Sequence, residues 1–169
     1  MKERATQVRY IGTVTHHHEA EALIRNPGDA VLVYRGCDRS VVMGCPDGCG
    51  EILTINLDER AGKAWEKYGS ETKFSLFPSV WRSTGCESHF VVWRGHIDWL
   101  TSEWWEPSED LKQSVYELLL TKTPRIFRDL AKELNEIPWD VAAACRALVR
   151  DGKAREGTGA KRGWFSRIA

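Results

Sequence analysis

The sequence predicts an α+β chain in two parts, a β-rich domain over residues 1–105 and a helical module over residues 108–169. Three observations carry that reading. Short apolar/polar alternations bounded by glycine- and proline-bearing turns recur through the first hundred residues, the pattern of half-buried strands. Two short spacings of metal-ligand type, Cys45-Pro46-Asp47-Gly48-Cys49-Gly50 and Cys86-Glu87-Ser88-His89, lie inside that region. Past residue 108 the apolar period lengthens to that of a helix before two short strands close the chain.

Gln7 to Thr15 and Ala30 to Tyr34 read as strands, and Ser40 to Met43 as a third that runs into Cys45. Glu51 to Leu57 and Thr72 to Phe77 alternate cleanly. His89 to Trp93 and His96 to Leu100 read as two strands joined by a tight turn at Arg94-Gly95. Both cysteine spacings therefore fall at strand–turn junctions.

The stretch from Thr101 to Asp110 has no period, and the module boundary is placed there. Ser108 is a helix cap, with Glu109 and Asp110 in the first turn where the helix dipole favours acids. A first helix is expected over Leu111 to Leu120, and a second opening at Thr123-Pro124 with Ile126, Phe127, Leu130, Ala131 and Leu134 at helical spacing. Pro138 suits the first turn of a third helix, which carries Val141, Ala144, Cys145, Leu148 and Val149 to Asp151-Gly152. Lys153 to Glu156 and Gly163 to Ile168 complete a hairpin. Three helices followed by a β-hairpin is the order of a winged helix, a helix-turn-helix variant.

Composition bounds the rest. The 169 residues fit one domain, or a small domain with a second module, and 42% hydrophobic content with eight tryptophans can build a core. No run approaches the ~18 apolar residues of a membrane span, and the first residues lead into no signal-peptide hydrophobic region, so a soluble cytoplasmic protein is expected. The formal net charge of zero hides an asymmetry: residues 1–110 hold 12 basic against 17 acidic side chains, residues 121–169 hold 11 against 6. A basic second module suits a polyanion, or is simply a solvated surface.

Cys45, Cys49, Cys86 and His89 together make the Cys3His set that tetrahedral structural zinc takes. Pro46 fixes φ, while Gly48 and Gly50 permit the left-handed turns that aim backbone N–H groups at a thiolate. Five cysteines are an odd number, and in a reducing compartment a clustered set favours metal over disulfides. One structural zinc ion is the expected cofactor. Four protein ligands would leave no position open for water. The plain alternative is buried cysteines without a metal.

From Val42 to Leu100 the residues resemble an uncharacterised bacterial family known as domain of unknown function 6527. The resemblance is carried by Met43-Gly-Cys45-Pro-Asp-Gly-Cys49-Gly-Glu51, Ile55-Asn56-Leu57, Ser75-Leu-Phe-Pro78-Ser79-Val80 and Cys86-Glu-Ser-His89-Phe90-Val-Val-Trp93. A weaker echo lies around Gly28 to Tyr34. The resemblance implies a metal-binding domain and, for some members, genes beside bacterial ubiquitin-like conjugation components. Two departures stand out: Trp81-Arg-Ser-Thr-Gly replaces a Gly-Asn-Trp after the Pro-Ser-Ile element, and a helical tail is appended.

Other candidates take bland roles. Asp47, Glu51 and Glu87 read as a turn residue, a strand-edge carboxylate and a surface charge rather than acid/base groups. Cys37 belongs to the Arg35–Asp38 turn, and Cys145 is a small core residue. His16-His17-His18 reads as a solvated loop, since adjacent side chains on an extended segment face opposite ways. His96 is a lesser candidate to replace His89. Trp99, Trp104 and Trp105 read as packing between the modules.

In the second module Trp139, Asp140, Arg146 and Arg150 are expected on the outer surface of the third helix, with Lys153, Arg155, Lys161 and Arg162 on the wing. Of these, Arg146, Arg150, Lys153, Arg155, Lys161 and Arg162 are the candidate contacts to duplex DNA or a protein partner. The leading functional expectation is a non-enzymatic zinc-binding adaptor in a bacterial ubiquitin-like conjugation or defence pathway. A zinc-dependent hydrolase or ligase-like factor and a winged-helix transcription regulator are the alternatives.

Overall fold

A computed structural model describes residues 3–100 and 105–169. The chain divides into two compact units, Met1–Ser102 and Glu103–Ala169. The expected role of Trp104 lies outside the described residues.

The first unit runs β1 (Arg9–Val14), α1 (His17–Leu23), β2 (Asp29–Tyr34), β3 (Asp38–Gly44), β4 (Ile52–Asn56), β5 (Glu66–Tyr68), β6 (Ser75–Phe77), β7 (Val80–Trp81), β8 (His89–Trp93) and β9 (His96–Asp98). Strands β1 to β4 form a sheet in chain order, with β1 parallel to β2 and the other pairs antiparallel. A parallel neighbour needs a crossover, and α1 supplies it. This helix corrects the expectation of a loop at His16-His17-His18: the backbone N–H of His16 donates to Glu19 Oε2 at 2.8 Å, Ala20 is fully buried, and His17 Nε2 lies 2.7 Å from Thr54 Oγ1.

Burial on both faces explains why Ala30 to Val33 and Val41 to Met43 are apolar without alternation. Ala30, Leu32, Val41 and Met43 face the main core with Ile55, Phe74, Leu76, Val80, Phe90, Val92 and Ile97. Val31, Val33 and Val42 turn the other way, onto Ala20 of α1. Asp29, at the start of β2, is completely buried and accepts from Arg9 Nε at 2.7 Å and the N–H groups of Arg25 and Asn26 at 3.0 and 2.8 Å.

Strands β7, β8 and β9 form a second antiparallel sheet with β7 at its edge. The turn between β8 and β9 places both Arg94 and Gly95 at positive φ, 51° and 77°, the backbone of a type I′ hairpin turn. Trp99 packs inside this unit, its ring 5.7 Å from that of Phe90 and its Nε1 donating to Ala5 O at 3.2 Å.

The second unit runs α2 (Glu109–Leu118), β10 (Arg125–Ile126), α3 (Phe127–Leu134), α4 (Pro138–Arg150), β11 (Ala154–Glu156) and β12 (Trp164–Arg167). Ser108 Oγ caps α2 by accepting from Leu111 N at 3.2 Å, and Pro138 opens α4. The second helix does not open at Thr123-Pro124. Ile126 keeps an extended backbone (φ −78°, ψ 138°), and Arg125 and Ile126 pair with Phe165 and Trp164, so a short strand precedes the helix. The three strands form one sheet in the order β10-β12-β11. Its core gathers Val115, Leu119, Leu130, Ala131, Val141, Ala144, Cys145, Leu148, Ala154 and Phe165. Asp140, expected on the outer face of α4, is buried. Among the described residues no helix is long and apolar enough to cross a membrane.

Candidate active site and metal centre

Two elements build the candidate metal site. The first is the turn after β3: Cys45 N donates to Glu51 O at 2.8 Å and Gly48 N to Cys45 O at 3.1 Å, while Gly48 and Gly50 take φ of 81° and 90°. The glycines in the Cys45–Gly50 segment thus do the turning expected of them. The second is the loop between β7 and β8, where Gly85 and Glu87 flank Cys86 with positive φ.

These elements bring the sulfurs of Cys45, Cys49 and Cys86 within 4.8 Å of one another, close enough to hold a metal ion. The Cys45 and Cys86 sulfurs are 3.6 Å apart. Two thiolates on one tetrahedral zinc, each about 2.3 Å from the ion, stand about 3.8 Å apart, so the donor set fits such an ion. Arg82 covers the cluster, with Nη1 3.1 Å from Cys86 Sγ and 3.5 Å from Cys49 Sγ, and its Nη2 pairs with Glu51. The buried Ser88 hydroxyl lies 3.3 Å from Cys86 Sγ.

The thiols differ in their environments. Burial pushes Cys45 up to about 11. Burial acts the same way on Cys86, but hydrogen bonds from the Ser88 side chain and backbone outweigh it and bring that thiol to about 7. Cys145, in the core of the second unit, is pushed by burial up to about 12. Cys37 sits in the turn before β3, its sulfur 3.2 Å from Arg60 Nη2.

His89, expected as the fourth ligand, is not among the converged donors. Its Nε2 lies 2.8 Å from Ser79 Oγ. Register explains this contact. In the β7–β8 pair, Val80 faces Phe90 and Trp81 faces His89. Val80 and Phe90 point into the core, so alternation turns Ser79, Trp81 and His89 to the opposite, outer face. Trp65 Nε1 donates to the Ser79 carbonyl at 3.3 Å, and the Trp81 ring lies 6.2 Å from that of His89.

A hydroxyl within hydrogen-bond reach of an imidazole nitrogen is the geometry by which a histidine activates a serine nucleophile. Residues 15–100 match the family described as "Bacterial ubiquitination-like system serine protease (BubE)", just over half of the chain. The chain belongs to the BubE family. Its family description ties it to a bacterial ubiquitination-like system, as the adaptor expectation did, but names a protease where that expectation had no enzyme. No curated protein and no solved structure matches the chain.

Sequence reasoning passed over Ser79. Its signal was present in Pro78-Ser79-Val80 and Ser88-His89, two motif elements ten residues apart that the β7–β8 hairpin folds together.

The remaining expected positions are placed as follows. Asp47 pairs with Arg4 at 2.6 Å and Glu51 with Arg82. His96 opens β9 opposite Trp93. In the second unit Arg146, Lys153, Lys161 and Arg162 are exposed. Arg150 donates to both carboxylate oxygens of Glu106 at 3.1 and 3.0 Å, and Arg155 to Ser166 Oγ at 3.1 Å. Lys161 Nζ sits 4.2 Å from the centre of the Trp164 ring.

Proposed function

We propose that this BubE-family chain is a serine protease acting in a bacterial ubiquitination-like system, with Ser79 as nucleophile and His89 as its general base. The single observation that carries this is the 2.8 Å approach of His89 Nε2 to Ser79 Oγ on the solvent face of the β7–β8 hairpin. In the reaction Ser79 Oγ attacks the carbonyl carbon of a peptide or isopeptide bond as its proton passes to His89 Nε2. That proton then goes to the departing amine. Water, deprotonated by the same nitrogen, hydrolyses the acyl-enzyme and frees Ser79.

The metal is read as zinc held by Cys45, Cys49 and Cys86, with the fourth tetrahedral position left to water and its role read as a cross-link. Thiolates at the observed sulfur spacing suit that ion, and it would supply a cross-link between the β3–β4 turn and the loop that separates Ser79 from His89. Ser88 and Arg82 position the thiolates through hydrogen bonds. His89 is assigned to Ser79 rather than to zinc. The resemblance to domain of unknown function 6527 covers residues 42–100, inside the BubE match, and both are read as one assignment. The clustered free cysteines favour a cytoplasmic location, where thiols stay reduced.

The second unit is read as a winged-helix module for a protein partner of the same system. Its helix, strand, helix, helix, strand, strand order supports this. The α4 surface argues against base reading, because Arg150 is engaged by Glu106 and Asp140 is buried. Binding to duplex DNA with sequence discrimination would overturn that part.

The test of the main reading is labelling of the purified protein with a fluorophosphonate. The expected result is a single adduct mapped to Ser79, lost in Ser79→Ala and strongly slowed in His89→Gln. An intact, folded protein that is not labelled at Ser79 would overturn it.

A further inference from the structure

The face that carries Ser79 and His89 also carries Trp81. Trp81 is 71% exposed, the most exposed large hydrophobic side chain among the described residues. It lies two positions after Ser79 and directly opposite His89 in the strand register. Residues two apart on a strand point the same way at a separation of about 6.6 Å, so the indole stands beside the reacting pair.

The backbone of Trp81 is equally suggestive. Arg82 N donates to Ser88 O at 3.0 Å, which makes Arg82 and Ser88 a hydrogen-bonded pair. Such pairs alternate along an antiparallel ladder, so Trp81 and His89 are a non-hydrogen-bonded pair. The N–H and C=O of Trp81 therefore point away from β8. Strand β7 is the edge of its sheet, and an edge strand with outward backbone groups is a template for another extended chain.

We propose that the substrate binds as an extended strand added antiparallel to the free edge of β7, paired with the Trp81 backbone, with the Trp81 indole setting specificity. This rests on the assignment of Ser79 and His89 as the reacting pair. Antiparallel addition lets one substrate residue meet both the N–H and the C=O of Trp81. The Ser79 carbonyl, already engaged by Trp65 Nε1, is not needed. In that direction the substrate residue over Trp81 lies two positions N-terminal to the residue whose carbonyl meets Ser79 Oγ. Its side chain shares the indole's face, where an apolar or aromatic group packs best. The substrate class is thus an unfolded segment, a chain terminus or linker, with an apolar residue third from the scissile bond. A segment whose backbone groups are already paired inside its own fold has none to offer the β7 edge.

A library of acetylated tetrapeptides ending in a fluorogenic aminocoumarin amide tests this, because it fills only the N-terminal side of the site. The expected best peptides carry an apolar third residue from the coumarin. N-methylation of that residue's amide should lower kcat/KM at least ten-fold. Trp81→Ala should cost the best peptide at least ten-fold more in kcat/KM than it costs p-nitrophenyl acetate, which is too small to reach the strand edge. If fluorophosphonate labels Ser79 but no peptide is cleaved, the inference falls while the reacting pair stands. The same holds if N-methylation has no effect, or if Trp81→Ala lowers both substrates equally. Absence of labelling at Ser79 overturns both.

Discussion

The imidazole of His89 reaches the hydroxyl of Ser79 across one antiparallel register, at 2.8 Å, with a loop between them that brings Cys86 Sγ to 3.6 Å from Cys45 Sγ. The proposed reacting pair and the proposed metal site thus share one hairpin, and substitutions can separate their contributions.

Removing either partner of the pair should abolish turnover without unfolding the protein. Ser79 is half-buried and His89 exposed, so neither supports the core. Ser79→Ala and His89→Gln are each expected to lower kcat about 10³-fold or more, with unchanged far-ultraviolet circular dichroism. Ester hydrolysis surviving in Ser79→Ala would point to another nucleophile.

Metal content should separate the two roles of the Cys86–His89 segment. Purified protein is expected to carry one zinc per chain, Cys86→Ser to lose it together with thermal stability of the first unit, and His89→Gln to keep it. Loss of zinc from His89→Gln would return that histidine to the ligand set.

Asp58 gives a pH dependence with a definite sign. Hydrogen bonding from Arg60 is the largest influence on it, burial opposes, and Arg39 assists, so its carboxyl titrates well below the ordinary range. A depressed folded value means this contribution is fully present above the unfolded value, about 3.9, and is lost as pH falls through the folded one. Asp58→Asn should therefore lower stability at pH 7, with the difference from wild type shrinking as the pH is taken below about 3.9. Denaturant melts at several pH values check it.

The core of the second unit makes an independent prediction. Leu130 is completely buried among Val115, Leu119 and Phe165, and Leu130→Ala should cost about 2–5 kcal/mol. Calorimetry should show the loss in the transition of that unit, and the effect on Ser79 labelling should be small.

Most of the first unit was legible because its strands carry their own markers. The alternation of Glu51 to Leu57 and the Arg94-Gly95 turn each specify local geometry. Helix α1 was hidden because three histidines dominate its start, although Glu19, three residues after His16, is a helix-start signal. Strand β10 was hidden for a different reason. Arg125 and Ile126 are extended only because Phe165 and Trp164, some forty residues on, offer a partner, and local periodicity carries no trace of that. The three cysteines were legible from spacing. The fate of His89 was not, since one spacing serves a metal ligand and a strand's first residue alike, and register against Ser79 decides between them.

The ten-residue separation of Ser79 and His89 has a thermodynamic consequence. Bringing two groups together costs chain entropy that grows with the logarithm of the intervening length, and here only the short β7–β8 connection has to close. The proposed reacting pair therefore depends on one local closure rather than on distant parts of the chain meeting. Val80 and Phe90 anchor that closure in the main core, so the proposed pair is set as soon as β7 meets β8.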